Sequence, residues 1–194
     1  PDGKFAGPPF EYSDVSDDDY NDGKLTNVAI NQLKKYKKSK DPFFLAVGYI
    51  LPHLPFIQPK KYGDLYEFDD LVFSKQKTVP VNSPKRAIAH DWLELRNWYI
   101  DIPQSGPVSL KMEEDLIKSY YATITYLDTL IGKLLKSLDD LDLRKNTTIV
   151  FWSDHGFFLG EHGFWCKHHT FQEAIHVPLL VSSPNMEQGF QTNT

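Results

Sequence analysis

Asp154 and His155, in the run Ser153-Asp154-His155-Gly156, set a carboxylate beside an imidazole, a donor pair able to hold a divalent cation. Gly156 behind them lets the backbone turn sharply. Leu159-Gly160-Glu161-His162-Gly163 follows, and beyond that Gly-rich turn stands Lys167. Far upstream, His53 lies in Leu51-Pro52-His53-Leu54-Pro55-Phe56, where the prolines exclude regular structure and fix the loop. Together the four suit one anion-handling site, with Asp154 and His155 after one strand, His53 in a rigid loop after another and Lys167 beyond the Gly-rich turn. Each residue alone also fits a duller role, as a strand-end cap, a packed histidine or a surface lysine. What favours one shared site is where they fall.

Thr147-Thr148-Ile149-Val150-Phe151-Trp152, mostly β-branched or aromatic, predicts a strand covered on both faces, and such strands belong to parallel sheets flanked by helices. Ligands of open α/β sheets gather where those strands end, which is where Asp154 and His155 fall. Phe43-Phe44-Leu45-Ala46-Val47-Gly48-Tyr49 predicts a second buried strand, emptying into the His53 loop. Val177 to Ser182 predicts a third after the active loop.

Lys24 to about Lys38 predicts a helix with Leu25, Val28, Ala29 and Leu33 on one face, halted by Asp41-Pro42. Ser109 is placed to cap a longer one, with Glu113, Glu114 and Asp115 in its first turn and Leu116, Ile117, Tyr120, Ile124, Leu127, Ile131, Leu134, Leu135 and Leu138 at helical spacing. This order is that of an α/β fold, and right-handed crossovers would make its sheet largely parallel. Residues 1–23, rich in Pro, Gly and Asp, read as an irregular lead-in belonging to a longer chain, with Asp17, Asp18 and Asp19 solvated. Residues 24–194 read as the central part of one catalytic domain. Within it, residues 59–108 form a Pro-punctuated excursion with a short helix around His90 to Trp98.

At 194 residues, 41% hydrophobic and 24% charged, the chain has the make-up of one globular domain. No apolar run approaches the ~20 residues of a membrane span. The net charge of -5 argues against a nucleic-acid partner, since phosphate neutralisation needs a basic face. Lys34, Lys35, Lys37, Lys38 and Lys40 read as the solvated face and C-terminal end of the first helix. Cys166 is the only cysteine, so no intrachain disulfide can form and bridges give no reading of the compartment. The sequon Asn146-Thr147-Thr148 opens a predicted strand and does not decide the compartment either. The absence of an initiator Met and the end shortly after a strand read as those of a piece of a longer chain.

Several blocks in one order resemble the sulfatase family of the alkaline phosphatase-like superfamily: Phe43 to Tyr49 followed by Pro52-His53-x-Pro55-Phe56, then Tyr126-Leu127-Asp128-Thr129, then Ser153-Asp154-His155-Gly156 through Gly160-Glu161-His162-Gly163-x-Trp165-x-Lys167, and His176-Val177-Pro178-Leu179. Within that family the likeness is to the iduronate-2-sulfatase group and its bacterial relatives. The resemblance implies an alkaline phosphatase-like, largely parallel sheet flanked by helices, and hydrolysis of the sulfate ester of a sulfated carbohydrate such as a uronate 2-sulfate. It implies a formylglycine nucleophile and one divalent cation, Ca2+, with Asp154 and His155 as metal ligands and His53 and Lys167 as sulfate-binding, catalytic residues. Ligand softness alone would accept zinc or manganese beside an imidazole. A periplasmic or secreted setting, or a lysosomal one, goes with the resemblance.

The chain also departs from the family pattern. The nucleophile opens a Cys/Ser-x-Pro-x-Arg motif, whereas Cys166 is followed by Lys167, His168 and His169, so Cys166 is not that residue. Paired aspartates after a first strand are absent too. The nucleophile and the other metal ligands are expected outside these residues. Two other functions compete: a metal-dependent phosphodiesterase or phosphomutase of the same superfamily, and a catalytically dead module that binds a sugar sulfate.

Overall fold

In a computed structural model, residues 7–88, 93–186, 189 and 191 are described. The stretch read as an irregular lead-in carries strand β1 (Phe10–Ser13), which pairs in parallel with β2 (Phe56–Pro59), Phe10 opposite Phe56 and Ser13 opposite Pro59. Pro8 and Pro9 mask this strand in the sequence, yet the Pro9 carbonyl accepts the Phe56 N–H at 2.8 Å. Pro59 offers no N–H and closes the ladder.

Helix α1 spans Asn21–Ser39, starting nearly a turn before the predicted Lys24. Its buried face is Asp22, Thr26, Ala29 and Leu33, not the run through Leu25 and Val28, and Val28 is exposed. Two buried polar groups displaced the apolar positions because each has a bonding partner: Thr26 Oγ1 bonds the Asp22 carbonyl, and the Asp22 carboxylate receives backbone N–H groups. Lys40, left-handed at φ 62°, caps the end, and the lysines around it are exposed as expected.

The predicted buried strand Phe43–Tyr49 takes no regular secondary structure and has no ladder partner among the described residues. Phe43, Leu45 and Tyr49 pack inward, while Phe44 is 90% exposed. An apolar run shows that a surface favours burial and does not say what supplies the cover.

The short helices α2 (Lys60–Gly63), α3 (Lys85–Ile88) and α4 (Glu94–Trp98) break up the excursion. Helix α4 stands where a short helix was predicted, although His90 to Trp92 lie outside the described residues. Helix α5 (Leu110–Asp140) is about 46 Å long. Ser109 Oγ accepts the Met112 N–H at 3.2 Å, the expected N-cap.

Strand β3 (Ile149–Trp152) pairs antiparallel with β6 (Leu179–Ser182), so this pair does not follow the parallel expectation. Nor is β3 covered on both faces, since Trp152 is 63% exposed. Between them, β4 (Phe158–Leu159) and β5 (Trp165–Cys166) form a small hairpin, followed by α6 (Gln172–Ile175). The core is threaded on α5. Leu116 packs with Leu54, Phe56, Leu95, Ile102 and Cys166; Ala122, Tyr126 and Leu130 pack with Tyr62; and Leu138 packs with Leu33 and Leu143. The first of these clusters holds Leu54 and Cys166, the chain neighbours of His53 and Lys167.

Asp17 corrects another expectation. Its carboxylate is bonded by Lys61 at 2.7 Å, Lys133 at 3.0 Å and Tyr62 at 2.9 Å, and is mostly shielded from solvent. Burial raises its pKa, but those three partners outweigh burial and hold it below the usual carboxylate range. Asp18 stays half exposed, as read.

Candidate active site

The loop that carries His53 is tied down from two sides. Asp22, buried in the first turn of α1, accepts N–H groups from Ile50 at 3.1 Å and Leu51 at 2.9 Å. Leu54 and Phe56, on the far side of His53, are core residues. The ring itself is oriented by Nδ1, 2.7 Å from the Leu54 carbonyl. A carbonyl only accepts, so Nδ1 carries the hydrogen and Nε2 is the atom left to exchange a proton.

Lys167 arrives from the β4–β5 hairpin. Gly160 and Gly163 adopt φ of 107° and 77°, conformations that favour glycine, and they shape the turn between the two strands. Glu161 accepts the Leu159 N–H at 2.6 Å and so braces that turn. Cys166 is also left-handed at φ 71°, which swings Lys167 out of the strand line. Its thiol, packed in the core beside the Glu94 charge, is pushed up to about 12, chiefly by burial. That is the setting of a packing residue.

The structure brings His53 and Lys167 together: Lys167 Nζ donates to His53 Nε2. A third residue, absent from the sequence reading, completes the group. Glu94, at the start of α4, places Oε1 3.2 Å from His53 Nε2 and Oε2 3.0 Å from Lys167 Nζ, with His168 Nε2 3.3 Å from the same Oε2. The signal available was slight: one glutamate between Leu93 and Leu95, in a stretch with no other period. Burial raises the Glu94 pKa, but Lys167 first, then His53 and His168, outweigh it and hold the carboxyl below its ordinary range.

Asp154 and His155 form a separate contact. Asp154 Oδ1 accepts the His155 backbone N–H at 3.0 Å and Oδ2 lies 3.5 Å from His155 Nε2. His155 Nδ1 donates to the Gly156 carbonyl at 2.8 Å, which leaves Nε2 with a bare lone pair in the neutral ring. Gly156 then presses against α6, its N–H reaching the Ala174 carbonyl at 2.8 Å.

A sulfatase family model matches residues 3–194. The chain belongs to the sulfatase family. It is 40% identical over 182 residues to human iduronate 2-sulfatase, covering 91% of this chain and 33% of the relative. It is 31% identical over 158 residues to a sulfatase of Formosa agariphila, covering 81% of this chain and 30% of that one. Among solved structures, the phosphonate monoester hydrolase of Silicibacter pomeroyi superposes with a TM-score of 0.72 at 20% identity, covering 90% of this chain and 35% of the other. The fold is therefore the alkaline phosphatase-like α/β fold, of which the chain is a part. It spans about a third of the length of the curated relatives it matches.

The residues present supply only part of what a cation needs. Among the described residues, no three His, Cys, Asp or Glu side chains come together as a metal site. Asp154 and His155 fit as part of one, a largely exposed carboxylate beside an imidazole whose free nitrogen is Nε2. Calcium takes six to eight oxygens, so most of its shell would come from other groups.

Proposed function

We propose that this sulfatase-family chain is the part of a sulfuric ester hydrolase that grips the sulfate, and that the substrate is a sulfated sugar such as a uronate 2-sulfate. The observation that carries this reading is the contact of His53 with Lys167, residues 114 positions apart, at the ends of two loops anchored in one core cluster. Likeness to human iduronate 2-sulfatase supports the substrate class.

Lys167 presents a compact positive charge to the ester oxygens, and its bonds to His53 and Glu94 leave one N–H direction for the ligand. Once protonated, His53 carries its exchangeable proton at Nε2, where a leaving oxygen can receive it in place of the Lys167 contact, while the Leu54 carbonyl keeps the ring from rotating. Asp154 and His155 would hold a divalent cation, calcium in this reading, which when bound stabilises negative charge on the transferring group. The nucleophile, a formylglycine, belongs to residues outside this chain, because no Cys or Ser here opens the required motif.

The test is turnover by the full-length protein of a uronate 2-sulfate disaccharide, an aryl sulfate and a bis-aryl phosphate. Sulfate release that falls about 10²–10³-fold in Asp154→Ala is the expected outcome, the usual cost of one preorganised electrostatic group. Phosphate diester cleavage without sulfate release would make the protein a phosphodiesterase. Sulfate binding without turnover would make it a binding module.

A further inference from the structure

Glu94 lies between the two residues that this function assigns to the sulfate, and each of its oxygens is used. Its neighbours fix it from behind. Leu95 is buried in the same cluster as Leu54 and Cys166. Arg96 donates to the Pro103 carbonyl at 2.5 Å and the Gly106 carbonyl at 2.7 Å, and the Gln104 side chain donates to the Arg96 carbonyl at 2.9 Å, so α4 is pinned to the loop after it. The Glu94 side chain is 10% exposed and that of Lys167 is 15% exposed. A charge pair this shielded attracts far more strongly than one on the surface.

The two oxygens do different things. Oε2 takes one N–H direction of Lys167 and faces His168. Oε1 faces His53 Nε2, the atom that also accepts from Lys167. In the neutral ring Nε2 accepts from the lysine, and once protonated it donates to Glu94. The carboxylate therefore gives His53 a partner in the state that the lysine cannot serve.

We propose that Glu94 is a positioning residue for sulfate hydrolysis: it balances the charge of Lys167 and of protonated His53, aims both at the ester, and limits how tightly the site grips a sulfate before reaction. This rests on the reading of His53 and Lys167 as the sulfate-binding pair. An uncompensated lysine and imidazolium would hold the anion harder in the ground state without holding it harder in the transition state, and that lowers turnover.

The experiment compares full-length wild type with Glu94→Gln and Glu94→Asp, reading kcat and KM on the uronate 2-sulfate disaccharide and, separately, calorimetric binding of inorganic sulfate. For Glu94→Gln, kcat should fall roughly 10–100-fold while KM falls too, and inorganic sulfate should bind about 3–10-fold more tightly. Glu94→Asp keeps the charge on a shorter arm, so sulfate affinity should return to within about twofold of wild type while kcat recovers only in part. A Glu94→Gln enzyme whose KM rises, or whose sulfate affinity is unchanged or weaker, overturns the proposal. If Glu94→Gln does not fold, Glu94→Asp decides alone: weaker sulfate binding with unchanged kcat overturns it. A wild type that binds inorganic sulfate but turns over no sulfate ester sinks the hydrolysis reading and the positioning role with it, and the binding comparison then decides only whether Glu94 limits the grip on the anion. A wild type that does neither sinks both.

Discussion

Replacing Gly156 by alanine should be among the most damaging single-methyl additions to this chain. A Cβ built on Gly156 would lie deep inside the contact distance of the Glu173 carbonyl oxygen, 3.0 Å from its carbon and 3.3 Å from Ala174 Cα, all backbone atoms of α6. No side-chain rotation relieves this, so the two backbones must part by roughly 1 Å, and in a close-packed interior that displacement is felt by everything they touch. Overpacking costs about 1–3 kcal/mol, and the hydrogen bond from Gly156 N–H to the Ala174 carbonyl, worth about 1 kcal/mol net, is stretched or lost. The expected destabilisation is therefore about 2–4 kcal/mol. Gly132 gives the matched control. It sits in α5 with nothing within 4 Å of its would-be Cβ, so Gly132→Ala should stabilise by about 0.5–1 kcal/mol, from helix propensity and a less flexible unfolded chain. Urea denaturation of both variants in the full-length protein measures the difference. Because Gly156 follows His155, calorimetric calcium binding should also weaken in Gly156→Ala and stay unchanged in Gly132→Ala. Two variants within about 0.5 kcal/mol of each other would refute the steric argument, which rests on a difference several times larger.

Asp22→Ala leaves the Ile50 and Leu51 N–H groups without their carboxylate and should cost about 2–3 kcal/mol, with faster amide exchange at both residues as the check. Lys77→Met strips the largely buried Glu113 carboxylate of the lysine paired with it at 2.6 Å and should destabilise by about 1–2 kcal/mol, read by the same denaturation. Cys166, with its thiol raised to about 12, should resist iodoacetamide at pH 8 in the folded protein and react at once in urea, as mass spectrometry will show. Asp17, held below the usual range, contributes stability above its unfolded pKa near 3.8 that is lost as pH falls through the folded value, so Asp17→Asn should flatten the acid limb of a stability curve below about pH 4.

How much of this was readable in advance depended on how local the governing interactions are. Ser109 announces α5 because an N-cap and a helical repeat are encoded within neighbouring residues, and the helix begins where the serine says. The Pro52-His53-x-Pro55 and Gly-Glu-His-Gly blocks carry the family likeness that pointed to His53 and Lys167, and the structure sets the two side chains in contact. β1 escaped notice because its pairing with β2 depends on residues some 46 positions away, Phe10 with Phe56. Asp17 looked solvated because its partners, Lys61 and Lys133, are brought in by α2 and α5. Glu94 was invisible for the same reason: a carboxylate in an irregular stretch takes its meaning from a histidine on one loop and a lysine on another.

The small helix α6 ties two turns to one support. Gly156 leans on its backbone, and its Glu173 side chain meets His162 Nε2 at 3.2 Å while Phe171 stacks on that ring at 4.8 Å. The turn after His155 and the turn before Lys167 thus share a backstop only four residues long, Gln172–Ile175. So short a helix has few hydrogen bonds of its own and leans on packing, and such segments open at a smaller free-energy cost than the whole domain. On warming, both halves of the site should therefore lose alignment in one step while the long α5 still gives its full circular-dichroism signal. Heat would silence this protein reversibly before it melts it.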